Sequence, residues 1–597
     1  MNLWKKLMTC TLAAAMVCSV AGCGGEESPD SSTSGADAPA VQNDGTFTIG
    51  VNEVAEAMGA GWNLGNQLEA ASGGTPSETA WGNPVITQEL ISAVADAGFT
   101  TIRVPVSYLS KIDDANGYAV DTAWLDRVEE VVQYCYTENL YVIINMHGDG
   151  YNTIDGGWML VNGEDQETIC EKYEAVWKQI AERFKDYDEH LIFESMNEEF
   201  DGTFNDPNPD YYANLNKYNQ IFVDTVRASG GNNTHRYLLV PGWNTNIQYT
   251  VGDYGFVMPT DEQCTAGENR LMLSVHYYDP WDYCGEENMK TYVWGSKGDA
   301  LIASGISATS QAKWGLEDYL DERFQSLYDA YVSKNIPVII GEYGCIDKST
   351  ANADRSGDIQ SCRAYFNGYV AGKAASLGMI PVYWDNGVNS LYGFGVFDRS
   401  TYEQTQPEII STIIEAVKNK DPQAGADVTI ESKLEKSSEV HAYIGIQTEV
   451  YTFRNAYNDA SYGASTEYFN TLIKWSEENE IIDTGATFTD AAITGDGTYS
   501  VSVSGYDFSQ DSSKLNMLFI STDFTYFSNM HVTDVVLKCD DTEIPIAKPI
   551  VMADAQGNLY VELVNIYNTD LAPLDYTMPT DSFTITFTIS GMNNVLQ

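Results

Sequence analysis

Two glutamates, Glu198 and Glu342, stand at the ends of short apolar runs and are candidates for carboxylate chemistry. The runs are residues 191–195 and 338–341, and each is long enough for a buried β-strand. One carboxyl group can protonate a leaving oxygen while a second attacks or stabilises the carbon that loses it. Cleavage of an acetal at neutral pH needs both groups, so the pair predicts such a reaction if folding brings the two side chains together.

Polar or aromatic side chains also stand at the ends of the other apolar runs in this part of the chain. These runs are residues 60–64, 100–106, 141–146, 237–240, 271–275 and 380–383. For any one polar residue a structural role in a loop remains open, but eight runs that end alike favour a common site. The candidate residues that result are Arg103, His147, Asn197, His276, Tyr278 and Trp384.

The segments between the runs have the periodicity of helices that bury one face. Leu125, Val128, Val132 and Cys135, for example, are three or four residues apart. Eight alternating strands and helices predict an α/β fold, a (β/α)8 TIM barrel, which we place at residues 45–422.

After residue 422 the pattern changes to short alternating strands. They are predicted at residues 498–503, 515–520, 532–537, 559–564 and 583–589. This pattern is typical of an antiparallel β-sandwich, which we place at residues 423–597. The domain is rich in aromatic residues that could either stack on sugar rings, as in a carbohydrate-binding module, or form its core: Tyr451, Phe453, Tyr457, Tyr462, Tyr468, Phe469 and Trp475.

Eight ordered motifs in the barrel region resemble those of glycoside hydrolase family 5, the cellulase family of clan A. They are GWNLGN at 61–66, WGNP at 81–84, TIRVP at 101–105, INMH at 144–147, FESMNE at 193–198, SVHYY at 274–278, VIIGEYG at 338–344 and VYWDNG at 382–387. The resemblance implies a retaining endo-β-1,4-glucanase that acts on β-glucan, including xyloglucan and mixed-linkage glucan. It implies no cofactor and no metal.

The resemblance also assigns roles to the two glutamates. Glu342 is the implied nucleophile, and Glu198 is the implied acid and then base. Arg103 and the Tyr278 hydroxyl should favour ionised Glu342, whose charge should in turn hold Glu198 protonated. His276 is expected to form a hydrogen bond near Glu198.

Three more residues are implied to bind the reacting sugar. Asn197 would bind its 2-hydroxyl, and His147 and Trp384 would complete the subsite, with the indole ring against the sugar ring. Packing at the barrel mouth remains the alternative for Trp384. Glu194 and Glu199 flank the acid/base position, and we expect structural roles for both, since side chains alternate along a strand and Glu199 should point away from Glu198.

Two alternatives to a glucanase remain open. The same barrel and glutamates serve β-mannanases and other clan A endo-glycosidases. A noncatalytic surface glycan-binding lipoprotein would be expected to lack one carboxylate, whereas both are present here. A metal-dependent hydrolase is disfavoured because the histidines of the barrel region form no paired ligand motif: His147, His190, His235 and His276.

The net charge restricts the possible partners of the chain. It has 32 basic and 85 acidic residues, a formal charge of −53, which would repel nucleic acid but not a neutral polysaccharide. We expect a monomer.

The N-terminus predicts export and lipid attachment. Lys5 and Lys6 precede an apolar run at residues 7–20, which indicates a signal peptide at residues 1–22. The sequence Val-Ala-Gly-Cys that ends at Cys23 resembles a bacterial lipobox, so we expect a lipid anchor on Cys23 and a position on the extracellular face of a membrane. Residues 23–44 have the composition of a flexible acidic tether.

Overall fold

The computed structural model describes residues 47–51, 53–431, 437–454, 471–476, 480–554, 557–568 and 570–596. These residues form two compact units. The first comprises residues 47–347 and 360–430, and the second comprises residues 348–359 and 437–596. The predicted signal peptide, the tether and Cys23 lie outside the described residues, and so do Tyr457, Tyr462, Tyr468 and Phe469 of the C-terminal aromatic group.

Eight parallel strands form a closed barrel in the first unit. Spatial neighbours follow chain order, and β1 pairs with both β2 and β8, which closes the barrel. This confirms the predicted TIM barrel. The strands are β1 (Gly61–Leu64), β2 (Thr101–Val104), β3 (Tyr141–Asn145), β4 (Leu191–Glu194), β5 (Leu238–Pro241), β6 (Leu271–Tyr277), β7 (Val338–Tyr343) and β8 (Ile380–Asp385).

Helices connect the barrel strands and bury the apolar faces that the sequence predicts. In α3, Val128, Val132 and Cys135 are fully buried, and the Asp121 side chain caps the helix by accepting a hydrogen bond from the N–H of Ala123. The helices are α1 (Val54–Met58), α2 (Gln88–Asp96), α3 (Thr122–Thr137), α4 (Gln166–Phe184), α5 (Pro209–Ala228), α6 (Ile247–Val251), α7 (Trp281–Cys284), α8 (Gly295–Ala303), α9 (Glu317–Ala330), α10 (Ser356–Ser376) and α11 (Pro407–Asn419).

The N-terminal end of the barrel is filled by an apolar core. Val54 and Met58 of α1 belong to the same buried cluster as Ile143, Ile192 and Ile339 from the early parts of the strands. Helix α1 therefore covers this end, and the polar side chains collect at the opposite, C-terminal end, where barrel enzymes carry their active sites.

The second unit contains two antiparallel sheets. One has the order β12-β11-β10-β9-β16-β20-β19, with β14 beside β9, and the other has the order β13-β15-β21-β17-β18. The strands are β9 (Val440–Thr448), β10 (Phe453–Arg454), β11 (Ile473–Trp475), β12 (Ile481–Asp483), β13 (Thr487–Thr489), β14 (Ala491–Ile493), β15 (Gly497–Ser504), β16 (Leu515–Thr522), β17 (His531–Cys539), β18 (Thr542–Pro545), β19 (Ile550–Ala553), β20 (Leu559–Asn565) and β21 (Ser582–Ser590).

The two sheets share one apolar core. Leu518 and Ile520 of β16 pack in the same cluster as Ile585 and Phe587 of β21. Buried and partly exposed residues alternate along β21, as expected for a strand with one face in a core. These observations confirm the predicted antiparallel sandwich.

No disulfide bond joins the cysteines in the described ranges, which are Cys135, Cys170, Cys264, Cys284, Cys345, Cys362 and Cys539. Within the same ranges, no helix has the length and apolar character that a membrane span requires.

Candidate active site

Arg103, in β2, is the centre of a buried hydrogen-bond network at the C-terminal end of the barrel. Its Nε donates to Glu194 at 2.7 Å, and one terminal nitrogen donates to Asn63 at 3.0 Å and to Glu342 at 2.8 Å. The other terminal nitrogen donates to Asn197 at 2.7 Å. Although burial lowers the pKa of Arg103, the charges of Glu194 and Glu342 outweigh this effect and raise it. The network therefore holds a permanent positive charge beside Glu342.

Glu342 lies near the end of β7 and is held on both carboxylate oxygens. Its Oε1 accepts the bond from Arg103, and its Oε2 accepts a hydrogen bond from the Tyr278 hydroxyl at 3.0 Å. His276 Nδ1 lies 3.6 Å from the same Oε2. A register shift after Val275 places His276 opposite Glu342 in the pairing of β6 with β7.

Glu198 follows β4 and faces Glu342. His276 Nδ1 lies 2.8 Å from Glu198 Oε1, and the Tyr151 hydroxyl donates to Oε2 at 3.0 Å. The ligand atoms of Glu198, His276 and Glu342 all lie within 4.8 Å of one another. Retaining glycosidases have carboxyl groups about 5 to 5.5 Å apart, whereas inverting enzymes need about 6.5 to 9.5 Å for a water molecule. The short separation matches the retaining arrangement.

The pKa values of the two carboxyl groups depend on His276. Burial raises the pKa of Glu342, and His276 and Arg103 oppose this rise without cancelling it. Burial also raises the pKa of Glu198, but the hydrogen bond and charge of His276, with Tyr151 and Arg103, lower it overall. This order is the reverse of the one that the family roles imply. The two carboxyl groups lie close enough to titrate as a pair, so the proposed roles rest on their positions and not on this order.

His147 and Trp384 form one side of the site. Their rings are stacked, with an interplanar angle of 10° and centroids 6.2 Å apart, and both side chains are partly exposed. Burial and the Arg103 charge lower the pKa of His147, which is therefore neutral. Asn145 Nδ2 lies 3.2 Å from His147 Nδ1, and since an amide nitrogen only donates, the proton of His147 is on Nε2.

Comparison with known protein families identifies the barrel. A family model described as Cellulase (glycosyl hydrolase family 5) matches residues 65–390, more than half of the 597 residues. The chain belongs to glycoside hydrolase family 5. The family match contains both Glu198 and Glu342, together with strands β2 to β8.

Individual relatives cover the same part of this family 5 chain. Endoglucanase A of Paenibacillus barcinonensis is 52% identical over 369 residues, which are 61% of this chain and 90% of that protein. Xyloglucan-specific endo-beta-1,4-glucanase of Bacteroides ovatus is 34% identical over 389 residues, which are 63% of this chain and 72% of that protein. The solved structure of a family 5 xyloglucanase from Paenibacillus pabuli in complex with ligand is 53% identical, with a TM-score of 0.58, and covers 61% of this chain and 99% of that one.

All eight residues that the sequence predicts for the family 5 site lie together at the barrel mouth, on six different strands or the loops that follow them. They are Arg103, His147, Asn197, Glu198, His276, Tyr278, Glu342 and Trp384. Their roles remain predictions, which the geometry above supports.

Four residues of the site are not among the predicted ones. Tyr151 lies in the loop after β3, where no periodicity marks it, yet it bonds to Glu198 and accepts a hydrogen bond from Asn197 at 2.9 Å. Asn63 and Asn145 belong to motifs of the family, but the motifs alone indicate no role for them. The sequence predicts a structural role for Glu194, and its bond to Arg103 is consistent with that prediction.

Glu198, His276 and Glu342 could also be considered as metal ligands, because their side-chain atoms are close enough to share one cation. Both oxygens of Glu342 already accept hydrogen bonds, one of them from the Arg103 guanidinium. A divalent cation would have to compete with that fixed positive charge, so the residues fit acid and base chemistry better than metal binding.

Proposed function

We propose that this family 5 enzyme is a retaining endo-β-1,4-glucanase that works by double displacement, with Glu342 as nucleophile and Glu198 as acid and base. The short separation of the two carboxyl groups carries the proposal. An inverting enzyme needs a wider separation, because its base activates a water molecule that must fit beside the sugar.

In the first step, Glu342 attacks the anomeric carbon and the bond from that carbon to the leaving sugar oxygen breaks. Glu198 gives its proton to the leaving oxygen, so the products are a shortened glucan and a glycosyl ester on Glu342. Arg103 and Tyr278 orient the attacking carboxylate by holding its two oxygens.

In the second step, a water molecule replaces the departed sugar. Glu198, now ionised, takes a proton from this water, whose oxygen attacks the anomeric carbon and releases Glu342. Formation of the ester removes the negative charge of Glu342, and a carboxyl group next to one less negative charge ionises more readily. Two displacements at one carbon retain the β configuration.

The substrate that we propose is a β-1,4-glucan chain, with xyloglucan and mixed-linkage glucan included. The names of the relatives from Paenibacillus barcinonensis and Bacteroides ovatus support endo-glucanase activity and xyloglucan as a substrate. The half-exposed Trp384 indole, stacked beside His147, offers a flat apolar face for one glucosyl ring. Asn197, fixed by Arg103, lies beside Glu198 and would bind the 2-hydroxyl of the reacting sugar.

The test is the release of reducing ends by the purified chain without residues 1–43. The substrates are carboxymethylcellulose, xyloglucan, mixed-linkage glucan and mannan, with Glu342→Gln measured in parallel. Hydrolysis of a glucan that disappears in Glu342→Gln supports the proposal. Activity only on mannan would replace the glucanase with a mannanase, and a folded protein without activity would point to a glycan-binding lipoprotein.

The role of Glu198 has its own test. In Glu198→Ala, hydrolysis of an aryl β-glucoside oligomer with a good leaving group should form the glycosyl ester and then stall, because no base activates water. Azide needs no base, so it should restore turnover and give a β-glycosyl azide. A variant that azide does not accelerate, or an α-azide product, would contradict the assigned role.

We also propose that Cys23 carries a lipid anchor and that the enzyme is a monomer on the extracellular face of a membrane. The apolar run and the Val-Ala-Gly-Cys sequence support the anchor, and the mouth of a single barrel contains all eight predicted site residues. Partition of the expressed protein into detergent, lost in Cys23→Ala, tests the anchor. Light scattering of the chain without residues 1–43 tests the monomer.

For the C-terminal unit we propose binding to glucan. Among the described aromatics of this unit, Tyr451 and Trp475 are about half and a third exposed, at 49% and 37%. Exposed rings are what a carbohydrate-binding module uses to stack on sugars. Phe453, by contrast, is only partly exposed in β10.

A further inference from the structure

Glu199 follows the acid/base residue in the chain and has a carboxyl group that the proposed reaction does not use. The residue is only 2% exposed. Its Oε1 has no hydrogen-bond partner among the described residues, and the one donor to its carboxyl group is the backbone N–H of Val161. Burial raises the pKa of Glu199 well above its usual range, and the nearby charge of Asp149 adds to the effect. Glu199 therefore favours its protonated form more than an exposed glutamate does.

Asp149, the nearby carboxyl group, stabilises a negative charge better than Glu199 does. It accepts hydrogen bonds from the backbone N–H groups of Tyr108 and Leu109, each at 2.8 Å, and from the Trp158 indole at 2.7 Å. Three donors stabilise a carboxylate far better than one. Although burial raises the pKa of Asp149 too, a negative charge is more stable on Asp149 than on Glu199.

The Glu199 carboxyl group lies against the backbone of Gly150. A Cβ atom at position 150 would be only 1.6 Å from Glu199 Oε2, so a side chain there would displace the Glu199 carboxyl group. Gly150 ends the short 3-10 turn Gly148–Gly150, and Tyr151 follows at once. Since Tyr151 donates to Glu198 and accepts from Asn197, the carboxyl group supports the backbone that carries this hydroxyl.

The backbone of Glu199 is fixed from the other side. Its N–H donates to the Asn197 carbonyl at 3.1 Å, and its carbonyl accepts from the N–H of Asn244 at 2.9 Å. The segment from Asn197 to Glu199 thus has a fixed position, from which the Glu199 side chain reaches the turn before Tyr151.

We propose that Glu199 is a positioning residue, whose carboxyl group supports Gly150 and thereby holds the Tyr151 hydroxyl on Glu198. This proposal rests on the acid/base role proposed for Glu198. The other titratable groups that face Glu199 are Asp149 in the loop after β3, Tyr173 on α4 and Tyr218 on α5.

The pH profile of kcat/KM on soluble xyloglucan tests this role. The hydrogen bond from Tyr151 lowers the pKa of Glu198, so its loss raises that pKa and keeps the acid protonated to higher pH. In Tyr151→Phe the alkaline limb should move up by about 0.5 to 1 pH unit, the equivalent of one hydrogen bond. Glu199→Ala should cause a shift in the same direction, and the double variant should show no further shift.

Two more variants complete the test. Glu199→Gln is neutral and of equal size, and should return the alkaline limb to its wild-type position. If Glu199→Ala does not fold, Gly150→Ala can replace it, because the added methyl group displaces the Glu199 carboxyl group. This variant should also move the alkaline limb to higher pH. The proposal would be overturned if the alkaline limb of the kcat/KM profile stayed in place in the variants that break the contact. Additive shifts in the double variant would also overturn it. The azide experiment on Glu198→Ala tests the acid/base role itself, so failure of one proposal can be told from failure of the other.

Discussion

At the scale of single residues, His276 links the two reacting groups. Its Nδ1 lies 2.8 Å from Glu198 and 3.6 Å from Glu342. A positive charge on this ring lowers the pKa of both carboxyl groups. His276 therefore sets the pH range in which one group is protonated while the other is ionised.

Replacement of His276 by Gln should move both limbs of the kcat/KM profile to higher pH. Without the imidazole charge the pKa of Glu342 rises, so the nucleophile ionises at higher pH and the acid limb moves up. The pKa of Glu198 also rises, so the acid loses its proton at higher pH and the alkaline limb follows. We expect shifts of about one pH unit, measured on soluble glucan.

His190→Gln is the matched control for this experiment. His190 immediately precedes β4, at the opposite end of the strand from Glu198, and pairs with Asp188 at 3.1 Å. Its profile should match that of the wild type. Limbs that stay in place in His276→Gln would show that the imidazole has no charge in the working pH range.

At the scale of elements, Glu194 ties four barrel strands together. Lying at the end of β4, it accepts hydrogen bonds from Arg103 in β2 at 2.7 Å, from Ser274 in β6 at 2.7 Å and from Asn145 at the end of β3 at 3.1 Å. The ion pair with Arg103 is fully buried. The strand ends are therefore held by polar contacts where the apolar core is absent.

Glu194→Ala should lower the free energy of unfolding by about 3 to 5 kcal/mol, because it leaves the donors of a buried ion pair without their acceptor. Urea denaturation followed by tryptophan fluorescence measures the change. Glu130→Ala is the control, since its side chain is 53% exposed beside Arg127 and should cost less than about 1 kcal/mol. An equal loss of unfolding free energy in both variants would contradict a stabilising role for the buried ion pair.

The loop after β1 determines where the Trp384 ring lies. A Cβ atom on Gly65 would be 2.8 Å from Trp384 Cη2 and 2.7 Å from the Asp385 carbonyl. Gly65→Ala should displace the indole and raise KM for glucan roughly 3- to 10-fold, with a smaller change in kcat. Gly495→Ala, where nothing lies within 4 Å of the added atom, should leave both constants unchanged. A change confined to kcat would argue against sugar binding by Trp384.

At the scale of the whole molecule, all residues of the candidate active site belong to the first unit. The xyloglucanase structure from Paenibacillus pabuli is covered over 99% of its length by 61% of this chain. A chain of that length folds without a counterpart of the C-terminal unit, so the barrel of this protein should be independent as well.

A chain of residues 45–430 should therefore fold and hydrolyse soluble xyloglucan with kcat/KM within about twofold of the longer chain. It should also bind less to insoluble glucan, as measured by sedimentation with the polymer. The matched variant is the longer chain with both Tyr451→Ala and Trp475→Ala. It should lose binding to insoluble glucan and keep its activity on soluble xyloglucan. Equal retention by all three chains would exclude the C-terminal unit as a binding module.

The strands, the helices and the reacting glutamates were predictable because their signals are local. The barrel strands β6, β7 and β8 each continue two residues past their predicted ends. β6 continues to Tyr277 and β7 to Tyr343, where apolar periodicity ends but His276 and Glu342 still pair across the sheet. Polar residues can stay in a strand here because the site, and not an apolar core, surrounds them.

The barrel, the sandwich and the set of residues at the barrel mouth are predictable from the sequence, because the periodicity of apolar residues and the order of motifs depend on neighbours in the chain. The separation of Glu198 from Glu342, the contact of Tyr151 with Glu198 and the support of Gly150 by Glu199 are visible only in the folded chain. These contacts join residues 47 or more positions apart. Protonation likewise follows from burial and charges that such long-range contacts create.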